Sequence, residues 1–355
     1  MVVQLDTEYE TEIVARGLKT REMDVFEHLL EHMRDRHLFL LASRAFYGYL
    51  LNEYKNTFSK SIIGVLQNVF SNATTILTEA KCINPLITLV SDESKKRTEN
   101  GVCFVTISDL PAEFDYNAYL CCENLEDSKF YRNLYKLVQP QREDYATRIK
   151  FDSFGGGDKK AVLHWLSQRR ICLVICDSDI KYPGCNSGGT ANIMKKLFVQ
   201  QNPLYAQLIV LTVHEKENLF PWDFLVKNSD ENVQTVIEEL VRLKKVNPDI
   251  QDYFDIKDGV FINAANSSNN PENWEAIYRP IIDFIKTKGI EHFKTQPTTR
   301  KLFAGIKSSG LANLMPDKIN ATLFWHALTQ KQKADLETIF KAIYRFGFAY
   351  SEITS

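Results

Sequence analysis

Two carboxylates stand one residue apart where a long apolar run stops: ICLVICDSD ends on Asp177 and Asp179. An unbroken run of Ile, Leu, Val and Cys reads as a strand buried on both faces. Ligands of open α/β sheets collect at the carboxyl ends of such strands. On an extended chain, side chains at i and i+2 point the same way. Both acids could therefore hold one hard cation such as Mg²⁺, which takes oxygen ligands. Left unneutralised they would repel, and one would take up a proton. A solvated turn is the competing reading, because Asp and Ser favour turns; Asp-x-Asp alone does not separate the two.

A second acid, Glu123, follows the apolar stretch YLCC and opens a helix, with Asp127 one turn further on. Glu123 could ligate the same metal or act as a base, and Asp127 could serve a second metal. Two cations roughly 4 Å apart would activate a water and stabilise the leaving oxygen of a phosphodiester. Against this, acids at a helix start also simply suit its dipole. A third feature, Phe154-Gly155-Gly156-Gly157-Asp158-Lys159-Lys160, lies between a strand and a helix, where backbone N–H groups can approach a phosphate. It is neither GxxxxGK[ST] nor GxGxxG, and a plain turn explains it equally well.

The elements that must position these residues alternate. VCFVTI (102 to 107), YLCC (119 to 122), RIKFDSF (148 to 154), ICLVIC (171 to 176) and LIVLTV (208 to 213) read as strands. Amphipathic helices lie between them, one carrying Phe130, Tyr131, Leu134 and Leu137. This alternation predicts an α/β fold with a mostly parallel sheet covered by helices on both faces. Three regions follow: a helical N-terminal region (1 to 100), the α/β domain (101 to 228) and a mainly helical C-terminal region (229 to 355). The first rests on Leu29, Leu30, Met33, Leu38, Leu40 and Leu41, and on Ile62, Ile63, Leu66, Val69 and Phe70, all near helical spacing. Residues 91 to 100, SDESKKRTEN, read as an exposed connection.

The chain has 355 residues, which suggests roughly two domains, and 43 Lys+Arg against 45 Asp+Glu give a formal net charge of -2. That balance argues against a generally basic nucleic-acid coat and leaves room for a local channel. Arg169-Arg170 and Lys195-Lys196 could flank one, although solvated faces are the commoner use of such pairs. No apolar run is long enough to span a membrane, and MVVQLDTEYETE lacks the basic and apolar parts of a secretory signal, so a cytoplasmic protein is expected. Seven cysteines without a Cys-x-x-Cys pair read as reduced thiols, with no zinc site.

Taken in order, strand–Glu–helix, strand–glycine turn–helix and strand–Asp-x-Asp resemble the TOPRIM domain. That domain is shared by topoisomerases, bacterial primases and the overcoming-lysogenisation-defect (OLD) nucleases, and the resemblance covers residues 118 to 225. It implies a Rossmann-like sheet and a Mg²⁺ or Mn²⁺ site, with Glu123, Asp177 and Asp179 as metal ligands and catalytic residues. The OLD-like branch adds an acid four residues after the Glu, which Asp127 matches. In relatives from bacterial anti-phage systems an acid after the fourth strand completes the metal site. In His214-Glu215-Lys216-Glu217-Asn218-Leu219 that acid is read as Glu217 rather than Glu215, because Glu217 precedes Asn218. Phe254-Asp255-Ile256-Lys257-Asp258-Gly259 is similar to a further stretch of these relatives. It makes Lys257 a candidate to contact a phosphate or to stabilise transition-state charge, against the plainer reading of a solvated lysine in a turn.

The departures narrow the branch. The chain has no zinc-binding region, no room for topoisomerase domains and no P-loop, and Lys181 stands where many Asp-x-Asp-x-Asp relatives have a third acid. The resemblance therefore implies a metal-dependent nuclease acting on DNA or RNA, such as tRNA. It would be a toxic effector of anti-phage defence working with a separate ABC-type ATPase subunit, and no membrane is involved. A homodimer is compatible with it. The alternatives are a non-catalytic TOPRIM-like scaffold that docks on the ATPase and, less well supported, a nucleotide-sugar transferase.

Overall fold

Short apolar runs become strands here because two layers of helix cover them. The computed structural model describes residues 1–110, 114–140, 148–155, 159–225, 231–257, 260–261, 270–288, 301–303 and 316–349. Val2–Leu5 (β1) buries Val2, Val3 and Leu5 and is followed by Thr7–Arg16 (α1) and Thr20–Arg34 (α2). Next come Phe39–Leu41 (β2), Arg44–Glu53 (α3), Lys60–Ser71 (α4) and Ala73–Lys81 (α5). Ser43 and Ser59 cap α3 and α4 by accepting backbone N–H bonds. Ile87–Leu89 (β3), Arg97–Glu99 (β4) and Val102–Val105 (β5) complete a five-stranded sheet of order β2-β1-β3-β5-β4. It is parallel except for the exposed edge strand β4.

This corrects the expectation for residues 1 to 100. The N-terminal region is itself α/β, not a purely helical flank. Leu38, Leu40 and Leu41 belong to strand β2 and its approach, and SDESKKRTEN contains β4 rather than only a connection. Strand β5 pairs with β3 and β4, so VCFVTI closes the first sheet and does not open the second.

The second sheet holds the candidate residues. Tyr119–Cys122 (β6), Leu125–Val138 (α6), Lys150–Ser153 (β7), Lys159–Ser167 (α7), Cys172–Cys176 (β8), Gly189–Gln201 (α8) and Ala206–Val210 (β9) follow one another. The strands lie in the order β7-β6-β8-β9, all parallel, so β6 and β8 are central. Side chains alternate between two cores, as period two demands. Leu120, Cys122, Leu173 and Ile175 join the large core that continues into the first sheet and the C-terminal helices. Cys121, Cys172, Val174 and Cys176 meet Phe154, Val162, Trp165, Met194 and Leu197 on the other face. All seven cysteines are free thiols, five of them buried.

The C-terminal region contributes Glu231–Val246 (α9), Ile250–Tyr253 (α10), Val260–Phe261 (β10), Pro271–Lys288 (α11), Lys301–Phe303 (β11), Ala321–Ala327 (α12) and Gln330–Gly347 (α13). Strands β10 and β11 form an antiparallel pair. In α13, Leu336, Ile339, Phe340, Ile343 and Phe346 recur at helical spacing and are buried. Among the described residues, no helix is long and apolar enough to cross a membrane.

A pH-sensitive tie fastens α1 to α2. Glu22 accepts from both Arg16 guanidinium nitrogens (2.8 and 2.6 Å), from Tyr9 Oη (2.7 Å) and from Lys19 N (2.7 Å). Burial alone would raise its carboxyl, but these donors outweigh burial and hold it down at about 2. A depressed carboxyl contributes stability that is complete above the ordinary value and fades as pH falls through the folded one. Urea melts between about pH 4.5 and pH 2 should therefore show wild type losing stability faster than Glu22→Gln.

Candidate metal centre

The carboxyl ends of β6 and β8 meet where the strand order reverses, which is where open α/β sheets place their ligands. Asp177 leaves β8 with its side chain 15% exposed, and its Oδ1 accepts from Lys216 N at 2.9 Å. Its Oδ2 lies 3.9 Å from Lys257 Nζ. The same ammonium pairs with Glu215 Oε2 at 2.8 Å and Glu217 Oε2 at 3.3 Å. A second ammonium, Lys216 Nζ, bridges Asp127 Oδ1 (2.7 Å) and Glu217 Oε1 (2.8 Å). One oxygen from each of Asp177, Glu215 and Glu217 falls within 4.8 Å of the other two, close enough for a shared ion.

Local structure explains the convergence. Asp127 sits in the first turn of α6, whose N-cap Asn124 accepts the Asp127 N–H. Residues 216 to 219 form a tight 3₁₀ turn closed by reciprocal bonds between Glu215 and Asn218. Asn218 Nδ2 also donates to Gln251 O (2.8 Å) and Phe254 O (2.9 Å), which brings the segment carrying Lys257 against the turn.

Glu123 and Asp179 hold the outer rim. Glu123 is half-buried; burial raises its carboxyl, and the charges of Asp127 and Asp179 raise it further, against Lys257 and Lys216. Asp179 is exposed and has φ +56°, a left-handed conformation uncommon for a side-chain-bearing residue. It lies directly over Gly188, where a Cβ would stand 1.9 Å from Asp179 Oδ2, so this approach needs glycine. The left-handed step breaks the extended geometry expected of Asp-x-Asp. Asp177 turns into the carboxylate cluster, while Asp179 is not one of the three residues that could share the ion.

Six carboxylates (Glu123, Asp127, Asp177, Asp179, Glu215, Glu217) thus surround two ammonium groups, leaving four formal negative charges when all are ionised. The physical signs agree. Burial pushes Asp177 up to about 7, with Glu217 and Glu215 adding to it and Lys257 and Lys216 opposing. Burial and then Glu217 raise Glu215. Burial works against the Lys257 charge, yet the carboxylates of Glu215, Glu217 and Asp177 raise it above the ordinary lysine value. A divalent cation fits this set: the donors are hard oxygens, and Glu215 Oε1 is buried with no hydrogen-bond partner.

Of the residues expected from sequence, Asp127, Asp177, Glu217 and Lys257 come together, and Glu123 and Asp179 adjoin them. Glu215 and Lys216 were not expected. The signal for Glu215 was Asn218 three residues on, a capping pair that turns both acids inward. Of the glycine turn, Gly155 N donates to Glu123 O at 2.9 Å, and residues 156–158 lie outside the described residues, as do Asp258 and Gly259. Of the basic pairs, Arg169, Lys195 and Lys196 are exposed and Arg170 is half-buried. Arg170 bonds Asp152 (2.6 Å) and stacks over Tyr119, Arg169 bonds Asp109 O (3.1 Å), and Lys195 bonds Ser187 (3.0 Å).

No family model matches the chain, and no curated protein and no solved structure matches it.

Proposed function

We propose that the chain is a metal-dependent nuclease of the TOPRIM, OLD-like kind, cleaving phosphodiester bonds of DNA or RNA. One observation carries this reading: Asp127, Asp177, Glu215 and Glu217 converge with Lys216 and Lys257 at the switch point of a parallel sheet. The order of the four strands, with Glu123 after the first and Asp177 after the third, supports the TOPRIM assignment.

In this reading Asp177, Glu215 and Glu217 hold a Mg²⁺ or Mn²⁺ ion, with Glu123, Asp127 and Asp179 beside it. Bound there, the ion would supply positive charge to polarise the scissile phosphodiester and an attacking water. Lys257, the more exposed of the two lysines, meets a non-bridging phosphate oxygen. Lys216 N–H fixes the Asp177 carboxylate, and Lys216 Nζ keeps Asp127 and Glu217 in register. Glu123, raised by burial and like charge, takes the proton from water. A separate ATPase subunit, a role in anti-phage defence and a cytoplasmic setting belong to the same proposal.

The test is cleavage of plasmid DNA and of total tRNA by the purified chain with Mg²⁺ or Mn²⁺. Cleavage of either that EDTA stops is the expected outcome. Identical cleavage in EDTA, or none on either substrate with or without a co-purified partner, would overturn it. A second reading, a non-catalytic scaffold on an ATPase, is favoured by one observation: Lys216 and Lys257 already offset part of the acidic charge. It predicts no Mg²⁺ or Mn²⁺ binding in a calorimetric titration.

A further inference from the structure

A second convergence shares only Glu215 with the proposed nuclease centre. His214, Glu215 and Asp255 each offer one ligand atom, all within 4.8 Å of one another. His214 Nε2 lies 3.5 Å from Asp255 Oδ2. His214 is 3% exposed, Glu215 5% and Asp255 9%, so water satisfies little of this cluster. Two of its atoms, His214 Nδ1 and Glu215 Oε1, are buried with no hydrogen-bond partner among the described residues. Native interiors seldom leave such atoms unmet, and a bound ion at the Glu215 oxygen is one standard resolution.

We propose that His214, Glu215 and Asp255 form a further cation site of mixed nitrogen and oxygen ligands, suited to a transition metal such as Zn²⁺ or Co²⁺. An imidazole ligand favours these ions, whereas Mg²⁺ favours oxygen alone. Ligand atoms around one tetrahedral ion at about 2.0–2.2 Å lie roughly 3–4 Å apart, so the cluster needs only a small contraction.

The site would act as a clasp. His214 follows β9, and its N–H donates to Asp252 O at 2.7 Å, while Asp255 lies beside Lys257 in the segment that folds back over the turn. An ion here would tie that segment to the end of β9 and fix Glu215, the residue shared with the neighbouring all-oxygen site. The inference shares Glu215 with the proposed nuclease centre but does not need that centre to cleave anything.

The experiment uses the full chain, stripped with EDTA, and Co²⁺ as the probe, read by its visible absorption and by metal analysis after dialysis against saturating Mg²⁺. Wild type should retain one Co²⁺ per chain. His214→Gln and Asp255→Asn should weaken retention about tenfold to a hundredfold, while Asp177→Asn retains it. Circular dichroism establishes that each variant is folded, and Asp255→Asn, nearly isosteric, serves if His214→Gln does not fold. Retention unchanged in a folded His214→Gln or Asp255→Asn overturns the proposal, as does complete displacement by Mg²⁺. Co²⁺ lost in Asp177→Asn but kept in both other variants overturns it too, while leaving the nuclease centre standing. Co²⁺ held through His214 by a chain that cleaves no nucleic acid supports the clasp and removes the nuclease reading.

Discussion

Asp177→Ala should lower metal-dependent cleavage about a thousandfold, the upper range for removing one directly acting polar group, while leaving the protein folded. The fold should survive because two effects oppose each other. The substitution leaves Lys216 N–H without its acceptor, which costs about 1–3 kcal/mol. It also removes a buried carboxylate that Glu217 and Glu215 destabilise and that burial has already pushed to about 7. The melting temperature without metal should therefore change little, and the increase that Mn²⁺ gives wild type should vanish. Cleavage rates on matched, folded preparations check this. Full activity in the variant would remove Asp177 from the mechanism.

The largest stability loss outside the apolar core is expected at Asp335, on α13. Its Oδ2 accepts from Thr212 N (2.8 Å) and Val213 N (3.2 Å), and the side chain is buried. Burial raises its carboxyl, with those N–H bonds and Lys331 opposing. Asp335→Ala strands the buried Val213 N–H and leaves the part-buried Thr212 N–H without its acceptor, a cost of about 1–3 kcal/mol. Thr212 and Val213 lead straight into the turn bearing Glu215, Lys216 and Glu217, so cation binding should weaken with stability. Denaturant melts of Asp335→Ala and Asp335→Asn check this. The asparagine variant keeps an acceptor oxygen and should recover part of the loss; equal stability of all three proteins would refute the tie.

The second sheet was legible in the sequence because its strands are bounded by sharp signals. ICLVIC is continuous and apolar, and acids follow both it and YLCC. The first sheet was not legible. Its strands β1, β2 and β3 have 4, 3 and 3 residues and lie among long amphipathic helices. Apolar runs that short cannot be told from helix by periodicity. Leu38, Leu40 and Leu41 illustrate the ambiguity: their spacing suits a helix, but parallel pairing of Phe39–Leu41 with β1 decides the matter.

At the site, the acids placed by strand ends were readable, and of the two placed by the 3₁₀ turn only Glu217 was expected. Period-two logic fails at Asp179, whose left-handed backbone turns it away from Asp177's neighbours. Choosing Glu217 over Glu215 assumed one inward acid, yet the 3₁₀ turn closed by Asn218 buries both. Lys216, between them, drew no expectation from the sequence, yet it spans Asp127 and Glu217. Such placement depends on contacts between distant segments, which no local pattern encodes.

The central claim is that a divalent ion belongs among these acids. Anomalous scattering from a crystal soaked in Mn²⁺ measures it directly. The account predicts a manganese peak about 2.1 Å from oxygens of Asp177, Glu215 and Glu217, with Lys257 Nζ withdrawn from them. An occupied lysine bridge with no peak at that position, at a Mn²⁺ concentration that saturates binding in solution, would contradict it.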